Sequence, residues 1–173
     1  MTISLYDLSV GTFQQTVSGM LTVLEKGADY ANANGLDVNE YVGMSVHDDM
    51  LPFLFQVNCV ELHSVDCLKA LRDGEITPPK STAQRNYQEL QQMLLDVQTQ
   101  LEAVDKDDIN SLAGGVVIFK FGGNDIPFTT ENYVQSFALP NLQFHAATAY
   151  DILRAQGVPL GKADFLGKMR IGV

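Results

Sequence analysis

The chain has 173 residues, of which 46% are hydrophobic, and a formal net charge of −10 from 11 basic and 21 acidic residues. This length suits one domain, residues 1–173, which can bury a core without disulfide or metal staples. The acidic surface should repel nucleic acids and anionic membranes, so neither is expected as a partner. The sequence has neither an apolar run of ~18 residues nor a signal-peptide pattern, which predicts a cytoplasmic protein.

The first long helix is predicted over residues 6–33. Apolar residues recur there at steps of three and four, as on a helix face that packs against other helices. The helix should end at Gly35, because glycine readily adopts the left-handed conformation that follows a helix C-terminus. Asp37 and Glu40 have the spacing of a capping box, which predicts a short helical turn next.

Two further long helices follow. The second is predicted to open within residues 45–49, since Pro52 is tolerated in a first turn, and to close at Gly74. The third should begin at 81–84, where a hydroxyl is followed three residues later by glutamine, and its regular apolar period runs to Val104.

The two cysteines of the chain, Cys59 and Cys67, are predicted to lie on the second helix. Eight positions on a helix separate Cα atoms by ~12 Å, which is too far for a disulfide. We interpret both as buried thiols that pack as small hydrophobes.

A β-hairpin is predicted between the third and fourth helices. Residues 116–121 are β-branched and aromatic, residues 122–125 favour a turn, and residues 126–128 return. Pro127 lacks a donor for the strand ladder, so its strand should lie at an edge. Thr129 or Thr130 should then cap the fourth helix.

The fourth helix carries an interrupted apolar stripe, and Pro140 should kink it. Polar groups interrupt the stripe at successive turns, and a buried polar group without a partner costs roughly 1–3 kcal/mol. These groups therefore need partners, a ligand or trapped water. The stripe consists of Val134, Ala138, Asn141, His145, Thr148 and Ile152. After Gly157, a tail from about residue 158 is expected either to lie over the acidic helices or to stay disordered.

Several segments resemble an uncharacterised domain-of-unknown-function family of the DinB/YfiT-like superfamily of helical bundles. They are 5–10, 50–53, 137–141, 144–145, 148–154 and 157–167. The resemblance covers essentially the whole chain. It implies an all-α fold, namely a DinB-like four-helix bundle with a small β-hairpin between helices 3 and 4.

Metal-binding members of this superfamily carry one His on the second helix and a His-x-x-x-His pair on the fourth. Several are metal-dependent thiol transferases or related hydrolytic enzymes. His145 matches the first His of the pair, but its partner position is Ala149, and Gln56 occupies the place of the His on the second helix. The resemblance therefore implies a degenerate site with one of three imidazoles retained.

His63 is the candidate for rebuilding a metal site with His145. It lies seven residues beyond Gln56, which gives nearly the same azimuth but places it ~10 Å further along the helix. His47 falls about half a turn from the face of Gln56. A Zn or Ni ion held by His145 and His63 is one interpretation, while the other expects no cofactor.

The favoured hypothesis is a polar pocket for a small molecule near His145. Gln56, Asn141 and Tyr150 are its other predicted ligand-binding residues, with the Tyr150 hydroxyl at the rim. Two alternatives stay open. The chain could be a metal-dependent transferase or hydrolase of the DinB/YfiT type, or it could be a non-catalytic interaction module. A homodimer is expected, because bundles of this kind often pair through helix faces.

Overall fold

Helices form most of residues 3–172, the part of the chain that the computed structural model describes. They are α1 (Leu5–Leu8), α2 (Val10–Ala33), α3 (Phe53–Leu62), α4 (Val65–Asp73), α5 (Tyr87–Glu102), α6 (Lys106–Ser111), α7 (Thr130–Tyr133), α8 (Leu139–Ala155) and α9 (Lys162–Leu166). The strands are β1 (Glu75–Ile76), β2 (Val116–Phe121) and β3 (Asn124–Thr129). A 3-10 helix, Val38–Gly43, follows α2, and a π-helical turn, Val134–Ala138, joins α7 to α8.

The core lies between the four longest helices. α2 packs against α5 and α8, and α3 packs against the same two helices from the other side of the core. The helix predicted over 6–33 corresponds closely to α1 and α2, and Gly35, with φ of +66°, follows its end as predicted. No helix within residues 3–172 combines the length and the apolar character that crossing a membrane requires.

The second predicted helix is two helices, and it begins later than predicted. Residues 45–52 are not helical, and Pro52 precedes α3 in an extended conformation rather than lying in its first turn. The break between α3 and α4 falls at Ser64, whose hydroxyl donates to the carbonyl of Val60 and thereby competes with the backbone bonds. His63 consequently caps the C-terminus of α3, and Gly74, with φ of +75°, closes α4 as predicted.

The third helix begins at Tyr87, so the predicted start at 81–84 was wrong. The capping box is formed instead by Asn86 and Glu89, each of which accepts a hydrogen bond from the backbone N–H of the other. The residues before it are held in a non-helical conformation by α3. Asn58 donates to the carbonyl of Ala83 over 3.0 Å, and Arg85 donates to the side chains of Asn58 and Glu61.

The predicted hairpin is present, and a third strand extends it. β2 and β3 pair antiparallel from Val116–Thr129 to Phe121–Asn124, with a turn of two glycines at positive φ. Pro127 lies on β3, at the edge of the sheet, as predicted. β1 pairs with β2 in parallel, and its two residues are too few for any sequence pattern to reveal. The third strand contributes to the site described below, because β1 and β2 form one of its walls.

In the fourth helix a π-helical turn, Val134–Ala138, precedes Pro140. The N–H of Leu139 donates to the carbonyl of Val134, five residues earlier, just before the position where Pro140 lacks a donor. The Asn141 side chain donates to the carbonyl of Phe137 over 2.7 Å, which satisfies one acceptor in the irregular turn. The predicted disturbance at Pro140 therefore takes the form of a π turn, followed by the regular helix α8.

The tail lies over α2, which was one of the two open alternatives. Lys26 forms an ion pair with Asp164 at 2.7 Å, and Gln15 donates to the carbonyl of Leu166 over 3.0 Å. Gly19 permits this contact, because a Cβ there would overlap the backbone carbonyl of Phe165.

Candidate metal and ligand site

The two predicted metal-ligating histidines come together where α3 faces α8. His63 ends α3 and His145 lies near the middle of α8. Their rings stack with an angle of 5° between planes and 5.5 Å between centroids. The His63 ring also lies edge-on to Phe137, with centroids 5.7 Å apart. Imidazoles from two different helices therefore share one small volume.

Gln56 contacts the His145 ring on the side away from the cavity. Its Oε1 lies 2.8 Å from His145 Nδ1, while its Nε2 donates to the carbonyl of Leu51 over 2.7 Å. The second bond fixes the orientation of the amide, so an acceptor faces Nδ1. Nδ1 must then carry the proton, which leaves the lone pair on Nε2 free for a ligand. Gln56, which is 2% exposed, thus positions an imidazole rather than replacing one.

Cys59 completes a three-residue cluster that sequence reasoning missed. The Cys59 Sγ and the ring nitrogens that His63 and His145 offer all lie within 4.8 Å of one another. The signal was the spacing of Cys59 and His63, four residues apart on one helix and hence on one face. Cys59 is buried, as predicted, and its side chain also lines the cavity beside the two histidines. The structure separates the two thiols, since Cys67 is buried in the core on α4.

The cluster forms the polar end of a cavity of about 490 Å³. Asn141 lies beside it, and the other walls are apolar and mostly aromatic. They are built by Phe55, Leu62, Ile76, Pro78, Phe119, Phe121, Tyr133 and Phe137. The side chains come from α3, α7, α8, the π turn, the first two strands and the segment after β1, and the partly open cavity that they form contains no Asp, Glu, Lys or Arg in its lining.

Burial keeps the cluster uncharged. It lowers the pKa of His63 to about 4, with a smaller contribution from neighbouring His145, and it also lowers the pKa of His145. Burial raises the pKa of the Cys59 thiol to about 12. At neutral pH the cluster therefore consists of two neutral imidazoles and a protonated thiol. Neutral imidazoles are ready to ligate a metal, whereas the thiol becomes a ligand only when a cation displaces its proton.

The other predicted site residues are placed differently. Asn141 lines the cavity, but Tyr150 does not, because its ring packs against Phe165 of α9 with centroids 5.8 Å apart. Five residues on a helix place Tyr150 ~140° away from His145, which explains the separation. His47 is exposed and pairs with Asp49. Of the predicted ligand-binding residues, His145 and Asn141 therefore line the cavity, Gln56 contacts it only through His145, and Tyr150 lies elsewhere.

The chain is similar to a DinB family member protein from Shewanella denitrificans, whose crystal structure has a TM-score of 0.80 and 26% sequence identity. The match covers 98% of this chain and 95% of that one. No protein with a curated description matches. The model of a family described as "Domain of unknown function (DUF1993)" matches residues 5–166. The chain therefore belongs to the DUF1993 family, and its fold is DinB-like.

Proposed function

We propose that the protein holds a divalent transition metal ion, most favourably Zn²⁺, through Cys59, His63 and His145. The observation that carries this proposal is the convergence of one sulfur and two imidazoles within 4.8 Å at the end of a cavity. Cysteine thiolate and histidine imidazole are both zinc ligands, and three protein ligands leave the fourth position of a tetrahedral zinc ion open.

The separations of the donor atoms fit such an ion after small side-chain movements. Bonds of about 2.0–2.3 Å in a tetrahedron place ligand atoms roughly 3.3–3.8 Å apart, about 1.0–1.5 Å closer than the 4.8 Å limit of the cluster. Gln56 supports the fit, because metal-ligating histidines commonly donate their second N–H to an oxygen acceptor. A bound ion would supply Lewis acidity toward a molecule in the cavity. This chemistry suits a transferase or hydrolase of the DinB/YfiT type.

Cobalt spectroscopy tests the proposal, because a Co²⁺–thiolate bond has a charge-transfer band in the near ultraviolet. We expect the metal-free protein to bind one Co²⁺ per chain with this band and Zn²⁺ to displace it. Cys59→Ser should lose the band, whereas Cys67→Ala, which removes the other buried thiol, should retain it. Absence of stoichiometric Co²⁺ or Zn²⁺ binding, or a band that survives in Cys59→Ser, would contradict the proposal.

A second candidate is metal-independent binding of a small molecule in the same cavity. The size of the cavity favours it, because about 490 Å³ lies within the range of pockets that bind small molecules. His145 would then act as a hydrogen-bonding group, oriented by Gln56 as described above. Calorimetric titration of the metal-free protein with 4-phenylimidazole separates this candidate from the first, because only metal-independent binding would persist without an ion.

We also propose the finer architecture that the sequence predicted. Helices α2, α5, the α3–α4 pair and the α7–α8 segment would be the four members of a DinB-like four-helix bundle, and the chain would act as one domain in the cytoplasm. Pairing through exposed helix faces would give a homodimer. Light scattering should then return twice the chain mass of 19.0 kDa, and a value of one chain mass would refute the dimer.

A further inference from the structure

The metal candidates lie on one wall of the cavity, so the rest of the cavity determines what can reach them. Cys59 and His63 come from α3, and His145 comes from α8. A fourth ligand to an ion held by these three side chains would approach from the cavity. The shape and polarity of the opposite walls therefore select the molecule that provides it.

Those walls disfavour a charged ligand. No Asp, Glu, Lys or Arg lines the cavity. A charged group placed against the aromatic and aliphatic walls, away from the ion, would lose its hydration without gaining an ion pair. The net charge of −10 adds a long-range repulsion for anions.

The same walls favour a ligand that carries an aromatic ring. Phe119 and Phe137 lie with their centroids 4.6 Å apart, and Phe137 stacks on Tyr133 at 5.5 Å. Aromatic side chains in such arrangements offer both ring faces and ring edges to an incoming ring. A volume of about 490 Å³ admits a molecule of one or two rings.

We propose that the cavity binds an uncharged, ring-bearing molecule whose single donor atom points to Cys59, His63 and His145. The apolar part of the molecule packs against the aromatic walls, and the donor atom completes the polar end. The placement of the donor rests on the metal site proposed above. The preference for a ring rests on the cavity alone.

Two matched probes test this inference, 4-phenylimidazole and imidazole, at a pH where both are neutral. They share the donor nitrogen and differ by one phenyl ring. In the Co²⁺-loaded protein, changes in the visible spectrum report the affinity of each probe. We expect 4-phenylimidazole to bind at least about tenfold more tightly, because its phenyl ring leaves water for the cavity. Equal affinities, or tighter binding of imidazole, would overturn the inference.

A cavity-filling variant locates the ring. Leu62 lines the cavity, and Leu62→Trp should narrow it without removing a candidate ligand. We expect this variant to bind Co²⁺ normally and the affinity ratio of the two probes to fall toward one. Leu95→Trp, which alters a leucine that is 46% exposed on α5, should keep the wild-type ratio. An unchanged ratio in Leu62→Trp would place the ring outside the cavity and refute the inference.

Calorimetry on the metal-free protein separates the two proposals. If the protein binds no metal but still prefers 4-phenylimidazole by about tenfold, the metal proposal fails. The inference that the cavity binds an uncharged, ring-bearing molecule then stands. If the protein binds metal but does not distinguish the two probes, the ligand class fails and the metal proposal stands.

Discussion

Replacing His145 by alanine is expected to weaken Zn²⁺ binding by more than about 100-fold. Removal of an outer hydrogen-bond partner of a metal ligand alone typically costs roughly 10–100-fold, and His145→Ala would remove one of the three proposed ligands. The affinity can be measured by competition with a chromophoric chelator. Circular dichroism should show an unchanged helix content, because His145 is only partly buried at the cavity wall.

His47→Ala is the matched control for this experiment. It also removes one imidazole, but the His47 side chain is 71% exposed and lies outside the cavity. Its Zn²⁺ affinity should equal that of the wild type. Similar losses in the two variants would mean that Zn²⁺ binds elsewhere, and an unaltered affinity in His145→Ala would exclude His145 as a ligand.

Replacing Phe53 by alanine is expected to lower the free energy of unfolding by about 3–5 kcal/mol. Phe53 is fully buried, and its ring stacks on Tyr87 with 3° between planes and 5.7 Å between centroids. These two residues begin α3 and α5, so their contact joins two helices of the core. A loss of this size is a large share of the roughly 5–15 kcal/mol that stabilises an ordinary domain. Urea denaturation followed by circular dichroism measures it.

Phe121→Ala serves as the comparison for Phe53→Ala. The Phe121 side chain is 63% exposed on β2, so its truncation removes little buried surface. We expect a loss below about 1 kcal/mol, as for most surface substitutions. Comparable losses at the two positions would show that the Phe53–Tyr87 contact does not anchor the core.

The proposed ligands lie further along α3 than the position that the resemblance implied for a histidine on the second helix. That position is Gln56, whose side-chain oxygen contacts His145, and Ala149, the implied partner position of His145, is fully buried in the core. Cys59 and His63 lie one and two turns further along the same helix. The candidate ligands on α3 thus lie toward its C-terminal end. The helix breaks there at Ser64, and the aromatic cavity begins there.

Local signals alone determined the elements whose cause lies within a few residues. The period of α2, the glycines at positive φ after α2 and α4, and the hairpin turn all express backbone preferences that neighbouring residues set. The same holds for the polar stripe of α8, which marked His145 correctly as facing inward. Such features are readable because their energies do not depend on distant parts of the chain.

Only the tertiary structure decided the features that depend on distant contacts. Asn58 and Arg85 hold the segment before α5 out of a helix, and β1 exists only because β2 lies beside it. The cluster at the cavity is of the same kind. Helical spacing placed Cys59 and His63 on one face of α3. Their contact with His145, 82 residues beyond His63 in the chain, depends on the position of α3 along the axis of α8. The relative position of the two helices follows from side-chain packing across the core, which no local sequence pattern encodes.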